Sequence, residues 1–218
     1  MSPLRSRGAR LLLGLLLTAA IVAAAASAGT TGTAPAKQVA ALKRQVATLN
    51  RENTGLRAQL AAVSPEGISR QLAKTKAALD KYQSVDKAKA DGYALASPCE
   101  FFPGGAGNAS SDQGGMGIHF VNAAILQSGK LDPAKPPILV YAPSGGRLDL
   151  VAAEYFKPDA DQNTATDDDR PTLFGRAFDG PMLGHAPGMP IHYDLHVWLW
   201  KTNPSGTFAP WNPTVKCS

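Results

Sequence analysis

An α+β fold is predicted for this chain, with a helical N-terminal arm followed by a small antiparallel-sheet domain. Three observations carry that expectation. Apolar residues recur at steps of three and four from Val39 to Val63, and a second helical stripe follows Ser64-Pro65. Beyond Pro98 the texture changes to short apolar runs divided by Gly and Pro. Helices that precede a run of strands, rather than alternating with them, indicate α+β. The 218 residues and 44% hydrophobic content suffice for one domain with a real core plus accessory segments.

Residues 1–28 read as a secretory signal peptide. Arg5, Arg7 and Arg10 precede an apolar run from Leu11 to Ala26, and Ala26-Ser27-Ala28 supplies the small residues of a cleavage site. An uncleaved membrane anchor is the alternative, although the run falls short of the ~20 residues a spanning helix needs. The predicted location is therefore secreted or cell envelope. The formal charge of +5 is unevenly spread: residues 1–28 carry +3, residues 29–96 carry +6 and residues 97–218 carry −4. A basic arm thus precedes a mildly acidic domain. Export separates the chain from nucleic acid, so the charge is not read as a nucleic-acid footprint.

Residues 29–36 read as a flexible leader, and residues 37–63 as a coiled-coil-like helix. Val39, Val46, Asn53 and Leu60 occupy heptad a positions, with Leu42, Leu49, Leu56 and Val63 at d. β-Branched a residues, leucine at d and one Asn at a predict a parallel homodimer through residues 39–63. Glu52 and Arg57 are placed to pair between its strands. The alternative is an amphipathic helix packed on its own domain. Ser64 as N-cap and Pro65 at the first helical position predict a second amphipathic helix over 64–96. Its lysines 74, 76, 81, 87 and 89 form a solvated face or, alternatively, meet an anionic envelope surface.

Residues 97–218 form the expected β-rich domain. Ile138 to Tyr141 and Leu148 to Phe156 read as a hairpin around Pro143-Ser144-Gly145-Gly146, and residues 191–200 as the strongest strand. Asn203-Pro204-Ser205-Gly206 is a turn. The chain's two cysteines, Cys99 and Cys217, predict one disulfide in an oxidising compartment, against the alternative of two free thiols. The glycine runs 104–107 and 114–117 lack the strand-turn-helix context of a phosphate loop.

All four histidines lie in this domain. A period of two puts Leu148, Leu150, Ala152, Glu154 and Phe156 on one strand face, where an ionised Glu154 requires a cation or a metal. His192, Asp194, His196, Trp198 and Trp200 share a face of the last strand. His119 lies in a short buried segment and His185 in a Pro/Gly-rich loop. The candidate metal ligands are therefore His119, Glu154, His196, His192 and His185, a set that suits one divalent transition metal such as zinc, copper or iron. His192 and His196 lie roughly 13 Å apart on an extended strand, so a single ion takes one of them with His119 and Glu154. The competing readings make the histidines structural, with Glu154 paired to Arg147 or Arg176, or pair His196 with Asp194 without metal. A serine elbow and the HExxH motif are absent, and no reaction is assigned. Asp159 to Asn163 begins like a calcium loop, but Arg170 stands where the bidentate Glu belongs. Trp198, Trp200 and Trp211 fit either core packing or a binding groove.

The segments GMGIHFVN (115–122), LVYAP (139–143), LVAAEYF (150–156) and HYDLHVWLWKTNPSGTFAPWNPTVKC (192–217) resemble an uncharacterised family of secreted bacterial proteins. That family shows a GMGxH segment, an EY-containing strand and an HxWLWxxNPxGxFxxWNPxVxC ending. The resemblance spans about residues 70–218 and implies export and a shared fold. Its matching positions are His119, Glu154, His185, His192, His196 and Cys217.

Overall fold

A computed structural model describes residues 33–109 and 111–218. The signal peptide or anchor expected over residues 1–28 lies outside the described residues. Among the described residues no helix is long and apolar enough to cross a membrane. The described residues fall into two units, one ending at Ala62 and the other spanning Val63–Ser218.

In the first unit, helix α1 spans Thr33–Ala62. It begins inside the segment expected to be a flexible leader. Pro35 falls in the first turn, where backbone N–H groups have no intrahelical acceptor, so proline does not obstruct the start. The seam residues Val39, Val46, Leu56 and Leu60 are exposed, Leu60 by 67%. Asn53, at the central a position, accepts a 3.2 Å hydrogen bond from Arg57 Nε.

The second unit opens with α2 (Pro65–Leu79), whose N-cap Ser64 accepts from Gly67 N. The single helix expected over 64–96 is instead three pieces. A 3-10 turn covers Asp80–Gln83, and α3 covers Val85–Ala90. The break has a local cause: Ser84 is extended and caps α3 by accepting from Lys87 N. It also has a packing reason, because Leu79, Tyr82 and Ala88 all reach the core. Three of the five lysines engage nearby acids: Lys76 contacts Asp80, while Lys81 and Lys87 both contact Asp91.

The sheet is antiparallel and eight-stranded. Its strands are β1 (Ala94–Leu95), β2 (Glu100–Phe101), β3 (Gly105–Ala106), β4 (Gly115–Val121), β5 (Ile138–Ser144), β6 (Arg147–Pro158), β9 (Asp179–Met182) and β10 (His192–Trp198), in the order β3-β2-β4-β5-β6-β10-β9 with β1 on β4. A short helix α4 (Ala123–Ser128) follows β4, and β7 (Thr172–Leu173) with β8 (Arg176–Ala177) forms a separate ribbon. The helices precede the main strands and the sheet is antiparallel, which makes the unit α+β.

Alternation along the strands builds two cores. Phe120, Leu139, Tyr141, Tyr155, Tyr193, Leu195 and Val197 pack on the helical side with Leu79 and Tyr82. Ile138, Val140, Ala152, Phe156, Trp198 and Val215 pack on the opposite side. The expected single stripe from Leu148 to Phe156 does not hold. Val140 pairs with Ala152 but Tyr141 pairs with Leu150, so Val151 is an extra residue on β6. This bulge inverts the parity of the strand. Leu148 and Leu150 turn to the helical core, while Ala152 and Phe156 turn to the other side.

The β5–β6 turn is also shorter than expected. Pro143 pairs with Leu148 and Ser144 with Arg147, which leaves Gly145-Gly146 as a two-residue loop. Both glycines have positive φ, 56° and 85°. A tight hairpin turn of matching twist demands that conformation, and glycine supplies it without strain. Cys99 and Cys217 form the disulfide that joins the start of β2 to the C-terminal segment.

The tryptophans belong to the packing. Trp198 Nε1 donates to Ala209 O at 2.7 Å, and Trp200 Nε1 donates to Asp80 Oδ1 at 2.6 Å. Trp211 stands edge-on to Phe102.

Candidate metal centre

Three strands deliver one residue each to the second face. On β10, His196 lies directly opposite Glu154 of β6. On β4, His119 is in register with Val140, one pleat from the row that carries Glu154. Two strand spacings separate β4 from β6, about 10 Å across a flat sheet. The half-barrel curl of the sheet and the reach of the two side chains close that gap. His119 Nε2 comes to 3.3 Å from Glu154 Oε2, and His196 Nε2 comes to 3.6 Å from the same oxygen. The two imidazoles meet nearly edge to face, with centroids 6.2 Å apart.

All three side chains are buried, His196 completely. Their ligand atoms lie within 4.8 Å of one another, so the group can hold a metal ion. Two further facts bear on this. Glu154 Oε2, both ring nitrogens of His196 and Oδ1 of the neighbouring Asp194 make no hydrogen bond within the protein. Buried polar atoms are hydrogen-bonded in roughly 90% or more of cases, so four without a hydrogen bond in one neighbourhood mark a place that could accommodate a cation or water. Moreover, two atoms each about 2.0–2.1 Å from a tetrahedral ion stand about 3.3 Å apart. The 3.3 Å and 3.6 Å separations are close to that edge length.

The electrostatics follow from burial. Burial pushes the Glu154 carboxyl up to about 7, against the opposing pull of His119. Burial, reinforced by Glu154 and Asp179, raises Asp194 to about 8. Burial and the neighbouring His119 push His196 down to about 3, so it is a neutral imidazole with a free lone pair. His119 differs. Burial alone would lower it, but Glu100, Glu154 and Asp194 outweigh burial and raise it. Burial by itself would push its partner Glu100 up, yet the His119 contact and charge hold it at about 2.

The structure separates the five expected ligands into three and two. His185 is exposed in the loop before β10, with its ring against His192. His192 is buried, stacks on Phe156 at 4.6 Å, and places Nδ1 3.0 Å from Pro190 O. Both sit outside the His119, Glu154 and His196 group. Four residues of extended strand separate His192 from His196, which accounts for its exclusion.

Arg147 pairs with Asp149 rather than with Glu154, whose ionic neighbours are histidines. His196 makes no hydrogen bond to Asp194. The acids of the calcium-like loop are bound by the loop itself: Asp159 and Asp161 both accept from Asn163 N, and Asp161 also accepts from the Thr166 hydroxyl.

Two site residues escaped the sequence reading. Ser97 Oγ lies 2.9 Å from His119 Nδ1, and Glu100 Oε1 lies 3.3 Å from the same nitrogen. Ser97 has no regular element around it and β2 is only two residues long, so neither carries a periodicity that marks its direction. The adjacent Cys99 was the one local signal that this segment is anchored. No family model, curated protein or solved structure matches the chain.

Proposed function

We propose that the C-terminal unit of this exported protein is a divalent-metal-binding domain that holds its ion through His119, Glu154 and His196. The observation that carries the reading is a trio of buried ligand atoms within 4.8 Å of one another, with Glu154 Oε2 and both His196 ring nitrogens making no hydrogen bond within the protein. Two imidazoles and a carboxylate suit zinc, copper or iron. Burial of all three ligands favours a retained ion that stabilises the sheet over one exchanging with bulky substrates. The test is metal content and affinity of the secreted chain, prepared without affinity-tag histidines. Near-stoichiometric metal that His196→Ala abolishes is the expected result. Absence of bound metal, together with no heat on titration with zinc, copper or iron, overturns the reading.

A second reading concerns the arm. Exposure of Val39, Val46, Leu56 and Leu60 along one heptad seam supports a parallel homodimer through residues 39–63. The expected result is a dimer by sedimentation equilibrium that Leu49→Lys converts to monomer. A wild-type monomer at tens of micromolar sinks it.

A further inference from the structure

We infer that Glu100, together with Ser97, is the positioning group of the metal centre: it orients the His119 ring so that Nε2 presents its lone pair to the ion. This rests on the metal reading above. His119 has two ring nitrogens with different surroundings. Nε2 faces Glu154 Oε2 at 3.3 Å. Nδ1 faces Glu100 Oε1 at 3.3 Å and Ser97 Oγ at 2.9 Å. An ionised carboxylate only accepts hydrogen bonds, so the nitrogen beside it carries the proton. In the neutral ring the Nε2 lone pair is then free, 3.3 Å from Glu154 Oε2. A histidine ligand whose second nitrogen is held by a carboxylate is fixed in tautomer and orientation and is the more basic for it.

The fold fixes this pair tightly. Ala96 N and Ser97 N both donate to the backbone carbonyl of His119, at 2.9 Å and 3.4 Å, so the segment carrying Ser97 is tied to the histidine it serves. Glu100 pairs with Gly117 on β4. A Cβ on Gly115 would sit 2.6 Å from Glu100 O, so only glycine lets β2 approach this closely. Next to Glu100, the disulfide fastens Cys99 to Cys217, and Gly107 N donates to Cys99 O. The short strand β2, paired with β3 on one side and β4 on the other, is thereby anchored at its start. Charge is consistent with the role as well. A dication there would have the Glu154 carboxyl beside it and the half-buried Glu100 carboxylate across the His119 ring, both of opposite charge when ionised.

The experiment compares the full exported chain with Glu100→Gln, Glu100→Ala and Ser97→Ala, using zinc as the probe and Glu66→Gln, an exposed acid on α2, as the control for net charge. Zinc affinity is expected to fall about 10- to 100-fold in the Glu100 variants and less in Ser97→Ala, with the control unchanged. A second readout needs no metal. The ¹⁵N signals of the His119 ring at alkaline pH report its tautomer. The Nδ1–H form is expected in wild type and a mixture in Glu100→Ala. Wild-type zinc affinity in a folded Glu100→Gln overturns the inference, and so does an Nε2–H tautomer in the wild-type ring. A Glu100 variant that fails to fold leaves the decision to Ser97→Ala and the wild-type tautomer. Failure of wild type to bind zinc overturns the metal reading itself, while the tautomer still judges the positioning of His119.

Discussion

The double substitution Cys99→Ala with Cys217→Ala tests how much of the fold depends on closing one long loop. The two cysteines are separated by 118 residues, and both are about 95% buried. In the chain-entropy treatment a loop of that length removes about 16 cal/mol/K from the unfolded ensemble, or about 5 kcal/mol at 25 °C. Domains have total stabilities of about 5–15 kcal/mol, so the loss takes a large share of what holds the second unit together. Alanine is chosen over serine because a hydroxyl at either buried position would require a hydrogen-bond partner. The assay is equilibrium urea unfolding followed by circular dichroism. With a slope of about 2 kcal/mol/M, the midpoint is expected to fall by about 2.5 M. The slope itself is expected to rise, since the uncrosslinked unfolded chain exposes more surface. A midpoint shift below about 0.5 M, with the slope unchanged, refutes the reasoning: the segments beside β2 would then be held by their packing alone.

Tyr141→Phe removes the buried 2.6 Å hydrogen bond to Tyr82 O that ties the sheet to the 3-10 turn. It is expected to cost about 1–2 kcal/mol in urea unfolding, and an unshifted midpoint would mean that the carbonyl finds another partner. Gly115→Ala drives a Cβ to within 2.6 Å of Glu100 O. The expected loss is about 1–3 kcal/mol, with disturbed NMR shifts at Glu100 and His119; unaltered shifts would contradict the close approach. Asp91 is held by Lys87 and Lys81 at about 2, below its ordinary 3.8. A depressed carboxyl stabilises the fold above its unfolded value and loses that effect as pH falls through the folded value. Wild type is therefore expected to exceed Asp91→Asn in stability above about pH 4, with the difference closing towards pH 2. A difference that persists at pH 2 would show that the side chain acts through packing.

The legible part of the site was the part carried by long strands. Glu154 was readable because it interrupts an apolar alternation, where a buried ionisable group needs a partner, and His196 because it shares a face of the strongest strand with His192 and Asp194. His119 was readable from its short apolar surroundings. What the pattern could not supply was the pairing of strands. Glu100 enters the site only because β2 adds to the edge of β4, a contact that links residues with no shared periodicity. The face of Leu148 and Leu150 was misread for a related reason. A bulge leaves no mark in an apolar run such as LVAA, where either parity looks equally good. Likewise the break after Leu79 was hidden within a continuous amphipathic pattern, because Tyr82 and Ala88 are acceptable in a helix and are drawn to the core by tertiary packing.

The extra residue at Val151 gives β6 two halves with different tolerance for length change. On the hairpin side, from Arg147 to Leu150, a one-residue deletion can be absorbed by straightening the bulge, and the sheet keeps its ladder beyond that point. Between Ala152 and Glu154 no such slack exists. There a single deletion or insertion brings a residue of opposite parity opposite His196, replacing Glu154 with Ala153 or Tyr155. Loop grafting, circular permutation or tag insertion near Gly145-Gly146 should therefore spare the ligand trio, whereas an indel a few residues further along removes its only carboxylate.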